Sequence, residues 1–320
     1  MAGSNSSRDD ASCDKSHRVK PNRVKPKHQP PKRVSTHRGN PTPDQLVQWE
    51  SRKAPRSRSD IPDEILGALN SGWIETKTLV EWLSVDRVRL FLSLANACEL
   101  PLEPEDRKEL QDVRGLSALK QSWGVARVLS RHVALGDAAY AQLVEHRSDV
   151  VREWCALLVG MVAELKFSRR LAWMKTLADD RNSAVRELAW MGLRPHVAAD
   201  PVATIGSLVP WTGSRNERLR RFASEVTRPR GVWCEHISLL RDAPELGLPI
   251  LEPLRSDTSL YVRNSVANWL NDASKTAPDW VIQITSHWLR SSKSRETEYI
   301  VRRARRTLEK SSKTRQNKVR

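Results

Sequence analysis

Two short stretches hold the residue types that could do chemistry. Asn216 to Cys234 reads NERLRRFASEVTRPRGVWC, and Asp257 to Pro278 reads DTSLYVRNSVANWLNDASKTAP. In the first, Glu225 stands between Arg218, Arg221 and the basic turn Arg228-Pro-Arg-Gly231, with Trp233 just beyond. A carboxylate among guanidiniums can also be a plain surface ion pair, which is common and weak. The second stretch splits cleanly when wound at about 100° per residue. Val262, Val266, Trp269, Leu270 and Ala273 fall on one side. Asn264, Asn268, Asn271 and Lys275 line the other, with Asp272 at its edge. Three amides and a carboxylate in register suit a surface that touches something polar. They suit equally a solvated face, or amides bonded to a neighbouring helix.

Both stretches have helical period. Leu219, Phe222, Ala223 and Val226 form one apolar stripe, and Arg218, Arg221 and Glu225 share the opposite face. That helix must stop before Pro229. The helices recur. Small, amide or acidic residues followed by Val-Arg or its like open five segments, ending at Arg152, Arg186, Arg220, Arg263 and Arg302. These arginines are 34, 34, 43 and 39 residues apart, close to the HEAT period. A helix pair of that length cannot cover its own apolar face, so neighbours stack. With no alternating β-branched runs and no Asn-Gly or Asp-Gly hairpins, the expected fold is all-α, a right-handed α-α superhelix of HEAT-like repeats. Arg152 and Arg186 are expected to pair across the stack. Arg220 and Arg302 are expected on phosphate, because Arg221 and Arg303 follow directly and both of a pair cannot be ladder residues.

Folded sequence is expected from near Ser59 to Lys310, which gives a basic disordered tail (1–59), a repeat domain (60–310) and a basic C-terminal tail (311–320). The first segment holds 14 Lys and Arg against 5 Asp and Glu, net +9, with few large apolar residues. From Arg302 onward there are 9 basic residues against Glu309 alone. Over 320 residues the net charge is +16 and the pI about 10.1, which points to a polyanionic partner. Mean hydropathy is −0.57, and no apolar run approaches the roughly 18 residues of a membrane span. Four dispersed cysteines and eight histidines without ligand spacing imply neither disulfide framework nor metal. The expected location is cytoplasmic, on the nucleoid. Trp82, Trp123, Trp154, Trp173 and Trp280 are expected in the core. Trp190, Trp233 and Trp269 flank the polar stripes and suit core and groove wall alike.

The segments RRFASEVTRPRGVW and YVRNSVANWLNDASKTAPDWV resemble those of the bacterial HEAT-like-repeat alkylpurine DNA glycosylases, the AlkC and AlkD superfamily, and more closely its AlkC branch. The likeness is sharpest over about 180–290. It implies a DNA-binding groove, removal of N3- or N7-alkylated purines from duplex DNA, no metal or other cofactor, and a monomer with no obligate protein partner. By position, Glu225, Asp272 and Trp233 match the AlkC-type active site. The branch carries a further Glu four residues before an Arg-Pro pair; here the pair is Arg194-Pro195 and the residue is Trp190. Glu187, one turn earlier, can substitute only where its helix presents it to the groove. In this reading Glu225 and Asp272 act on the sugar, and Trp233 packs on the lesion or its ribose, with Trp190 beside them. Arg186, Arg194, Arg220, Arg221, Arg228, Arg230, Arg263, Lys275, Arg302 and Arg303 hold DNA phosphates, and Asn268 and Asn271 contact the backbone. The alternatives are a non-catalytic HEAT protein that binds damaged or structured nucleic acid, and a protein-interaction scaffold.

Overall fold

The computed structural model describes residues 40–310; the basic segments on either side lie outside the described residues. Every regular element among the described residues is helical. The first part holds α1 (Pro43–Ser51), α2 (Asp63–Asn70), α3 (Leu79–Ser84), α4 (Arg87–Ala97), α5 (Pro104–Val113), α6 (Ala118–His132) and α7 (Ala138–Val144). The middle holds α8 (Asp149–Met161), α9 (Phe167–Ala178), α10 (Ser183–Ala199), α11 (Pro201–Thr212) and α12 (Glu217–Val226). Then come α13 (Ser238–Asp242), α14 (Leu248–Leu251), α15 (Leu260–Ala273), α16 (Pro278–Ser291) and α17 (Arg295–Ala304). Helices α6, α8, α10, α12, α15 and α17 pack side by side in one row, and α9, α11, α14 and α16 back them. This is the two-layer helical solenoid that the repeat period predicts. No described helix is long and apolar enough to cross a membrane.

The repeated sequence words have a local cause. Asn182, Asn216 and Ser259 cap α10, α12 and α15, each side chain accepting a hydrogen bond from a first-turn N–H. The arginine that follows folds back over the entering loop. Arg152 donates to the carbonyls of His146 and Arg147, Arg186 to Asp180 and Arg181, Arg220 to Ser214 and Arg215, and Arg263 to Asp257 and Thr258. Those acceptors lie six and five residues upstream every time. The device satisfies loop carbonyls that would otherwise be stranded where one helix hands over to the next.

Two of these arginines also fork onto an aspartate across the stack, and Arg263 lies 3.6 Å from Glu296 of α17. Arg152 forks onto Asp180 at 2.7 and 2.9 Å, and Arg220 forks onto Asp257 at 2.6 and 3.0 Å. Arg220, expected on phosphate, is therefore a ladder residue; Arg221 beside it points a different way along the helix and serves the site. The next repeat has Ser214 where an aspartate would meet Arg186, and Arg186 turns instead to the Tyr261 hydroxyl at 3.1 Å.

Backbone proximity sets α10 against α8. A Cβ on Gly192 would lie 2.8 Å from the Ala156 carbonyl, and one on Gly160 would overlap the Gly192 carbonyl. Only hydrogen at these positions lets the helices approach so closely.

Order begins earlier than Ser59. Thr42 caps α1 with a capping box. Trp49 is buried and donates to Glu64 at 2.6 Å, and Arg52 forks onto Glu81 at 2.8 and 2.7 Å. One tryptophan and one bidentate pair dock a segment whose composition reads as a tail. Trp154 and Trp269 are fully buried, whereas Trp173, expected in the core, is 37% exposed and packs edge-on against Tyr140.

Candidate functional site

Six charged side chains from α10, α12 and α15, with the turns after the last two, form an alternating chain. Arg221 bonds Glu187 at 2.6 Å and lies 3.6 Å from Glu225. Arg228 bonds Glu225 at 2.6 Å with one nitrogen and Asp272 at 2.6 and 2.9 Å with two others. Lys275 bonds Asp272 from the far side at 3.2 Å. The order is Glu187, Arg221, Glu225, Arg228, Asp272, Lys275. One guanidinium thus joins Glu225 to Asp272, which are 47 residues apart in the chain.

Local structure explains the placement. Helix α12 ends at Val226 ahead of Pro229, so Arg228 leaves the helix axis and reaches across to α15. Ser265 on α15 donates to Glu225 at 2.6 Å, while Ser224 donates to Ser265 at 2.7 Å. Arg221 lies flat on the Tyr261 ring, 4.4 Å from its centroid. Burial alone would raise the pKa of Glu225. The adjacent Arg221 and Arg228 charges and the Ser265 hydrogen bond outweigh it and hold the carboxyl below the ordinary glutamate value. Arg228 is shifted the other way: burial opposes its charge, but Glu225 and Asp272 prevail and raise it. The pair is ionised at neutral pH.

A cleft of about 380 Å³ opens beside this chain. Glu187, Glu225 and Arg228 border it, together with Trp82, Trp190 and Trp233. Trp190 is buried at its edge and donates to Glu187 at 2.8 Å. Helix α10 therefore presents Glu187 to the cleft, and Trp190 supplies the hydrogen bond that orients it. Glu187 is also the most accessible carboxylate of the chain, its side chain 35% exposed against 4% for Glu225 and 7% for Asp272. Such a site can hold fixed negative charge against aromatic faces, where positive charge develops during bond breaking.

The remaining expected residues separate into groups. Arg230 donates to the Asp272 carbonyl at 3.2 Å and belongs with the site. Arg263, Arg302 and Arg303 surround the Tyr299 ring at 5.4, 5.6 and 5.6 Å. Arg186 faces Tyr261. Arg194 is buried and spends its guanidinium on the carbonyls of Val226, Arg228 and Glu235, so it braces the basic turn and is unavailable to phosphate. Asn271 is buried too, donating to the Ala304 carbonyl and the Thr307 hydroxyl. Asn268 accepts from Arg306, and Asn264 from Tyr299. The amide stripe thus bonds the neighbouring helix α17 and the helical residues 306–310 that follow it. Of its members Lys275 remains exposed. Trp82, expected in the core, is buried there, and its edge also borders the cleft.

Among solved structures, the fold is similar to the alkylpurine DNA glycosylase AlkC of Pseudomonas fluorescens, bound to DNA containing an abasic site analog. The TM-score is 0.56 and the identity 28%, over 69% of this chain and 62% of that one. The fold is thus similar to that of the AlkC/AlkD HEAT-like-repeat superfamily. Within that superfamily the AlkC branch is weakly favoured. AlkD2 of Streptococcus mutans aligns more loosely, with a TM-score of 0.44 and 21% identity over 69% of this chain and 98% of that one. An uncharacterised Bacillus subtilis (strain 168) protein, YhaZ, is 43% identical over 116 residues, which span 36% of this chain and 32% of that protein. The chain therefore matches less than two thirds of the length of both AlkC and YhaZ. No family model matches the sequence.

Proposed function

We propose that the protein is a DNA-repair enzyme that hydrolyses the N-glycosidic bond of N3- or N7-alkylated purines in duplex DNA. The observation that carries this reading is the run of three carboxylates, each held by guanidiniums, beside a tryptophan-lined cleft in a fold similar to a DNA-bound AlkC. An N-alkylated purine is already cationic, so its departure needs no proton. The C1′–N bond breaks with its electron pair going to the base, and positive charge grows on the deoxyribose. A water oxygen then bonds C1′ and releases a proton. Glu225, kept ionised by Arg221 and Arg228, supplies negative charge to that sugar. Glu187 takes the place of the glutamate that Trp190 displaces and, being the most accessible, orients the water. Asp272 holds Arg228 in place and adds to the field. Trp233 packs its half-exposed ring against the lesion or its sugar. Arg186, Arg230, Arg263, Lys275, Arg302 and Arg303 contact the phosphates of duplex DNA.

The assay is release of 3-methyladenine or 7-methylguanine from alkylated duplex DNA. The expected result is release by the wild-type protein and its loss in a Glu225→Gln/Asp272→Asn double variant. Equal release from both sinks the enzyme reading. One observation favours a non-catalytic binder: Glu225 and Asp272 are each tied up by two cationic groups. Tight binding to abasic-site DNA with no release would establish that alternative.

A further inference from the structure

Two serines face each other where α12 packs against α15, and the alternating charges do not account for them. Ser224 is fully buried and Ser265 is 2% exposed. Ser265 donates to one Glu225 oxygen at 2.6 Å, and Ser224 donates to the Ser265 hydroxyl at 2.7 Å, with the Arg221 carbonyl as a second acceptor at 2.9 Å. The acid sets the direction of these bonds. An ionised carboxylate has no proton to give, so Ser265 donates to it and is left to accept from Ser224. Helix packing needs neither hydroxyl. Alanine at both positions would fill nearly the same volume, and the polar group left without its partner would be Glu225.

The two oxygens of Glu225 are held differently. Arg228 bonds one at 2.6 Å. The other goes to Ser265, and Arg221 stops 3.6 Å from it while the same nitrogen bonds Glu187 at 2.6 Å. Without the Ser265 hydroxyl, Arg221 becomes the nearest donor to that oxygen. Closing the gap would draw Arg221 off Glu187 and match Glu225 with two close guanidiniums. Both carboxylates border the cleft, so the reach of this one guanidinium sets how each of them faces it.

We propose that Ser265, itself oriented by Ser224, is a positioning residue that turns Glu225 toward the cleft and leaves Arg221 on Glu187. This role rests on the glycosylase reading and adds to it two residues that touch no substrate atom. Burial pushes the Glu225 pKa up, and the Ser265 hydrogen bond acts with the Arg221 and Arg228 charges to hold it below the ordinary glutamate value. The other ionisable groups around Glu225 are Glu187 and Arg194 of α10, Asp272 of α15 and Cys234 of the loop after α12. All of them are retained in Ser265→Ala. Loss of the hydroxyl therefore raises the pH at which Glu225 gains its proton.

The experiment follows base release from alkylated duplex across pH under single turnover, with duplex affinity measured alongside. It uses full-length wild type, Ser265→Ala, Ser265→Thr and Ser224→Ala. In parallel the Glu225 carboxyl carbon is titrated by NMR of isotope-labelled protein, with Glu225→Gln to assign its signal. Expected for Ser265→Ala are release slower by roughly ten-fold or more, an acid limb and a carboxyl midpoint moved to higher pH, and unchanged duplex affinity. Ser265→Thr keeps a hydroxyl and is expected to restore both. Ser224→Ala is expected to move them the same way by less, and an unmoved midpoint there removes Ser224 from the relay. An unmoved midpoint in Ser265→Ala overturns the role, and so does slower release with the acid limb in place, which marks a packing defect. If wild type releases no base, the glycosylase reading falls, and the midpoint still decides whether Ser265 governs Glu225.

Discussion

The Arg220–Asp257 rung and the Arg228 bridge are built from the same residue types, on the same helix and the turn that follows it. They differ in stoichiometry and in what lies beside them. Arg220 meets one carboxylate in a two-pronged fit and gives its remaining donor to its own loop, so every group is spoken for. Arg228 is shared between two carboxylates, and the chain of alternating charge continues through Arg221 to Glu187 at an open cleft. A closed pair holds neighbouring repeats in register. A shared cation holds two anions close together, and taking all three charges out of water can cost more than their pairing returns.

The comparison breaks most visibly at Glu225. Glu225→Gln keeps the shape and removes the charge, so excision is expected to fall about 10²–10³-fold, measured as base release from alkylated duplex under single turnover. Arg220→Ala is expected to lower stability while leaving release per folded molecule unchanged; a matching loss of rate would erase the distinction between rung and site.

Arg228→Ala leaves Glu225 and Asp272 buried without their common partner, at an expected cost of about 3–5 kcal/mol in urea unfolding. If the loss is no greater than for Arg220→Ala, Arg228 is an ordinary rung. Gly192→Ala forces α10 off α8 and is expected to cost roughly 1–3 kcal/mol. Because α10 carries Glu187 and Trp190, its rate should fall as well, whereas a change in stability alone would place the site outside the influence of that contact. Asn271→Ala is expected to cost about 1–3 kcal/mol with no change in DNA affinity, and weaker DNA binding would restore it to the interface.

The smallest expected effect is on pH dependence. Glu225 has a lowered folded-state pKa, so its share of stability is present above the unfolded-state value of 4.5 and is lost as pH falls through the lower folded value. Acid unfolding curves of wild type and Glu225→Gln should converge below pH 4.5. Curves that stay parallel would show that the Arg221 and Arg228 charges do not act on this carboxyl.

The helical solenoid was legible in the chain because each repeat writes its cap and its arginine at the same offset. That offset reflects a local contact between an arginine and the carbonyls five and six residues before it. Glu225, Asp272 and Trp233 were legible as a group through the words that surround them. The amide stripe of α15 was legible as a pattern but not as a function, since periodicity says which residues share a face and not what covers that face. In the fold, α17 and the helical residues 306–310 lie against it, and the amides bond that neighbour.

By itself the sequence determined the class of the fold, the capped helices, the surplus of positive charge and the carboxylates that flank the basic turn, because these follow from neighbours along the chain. Tertiary structure alone decided which arginine is a rung and which is shared, that Glu187 of α10 meets Arg221 of α12, and that Trp82 faces Trp233. Those outcomes depend on contacts between residues tens to more than a hundred positions apart, and no local period encodes such a distance.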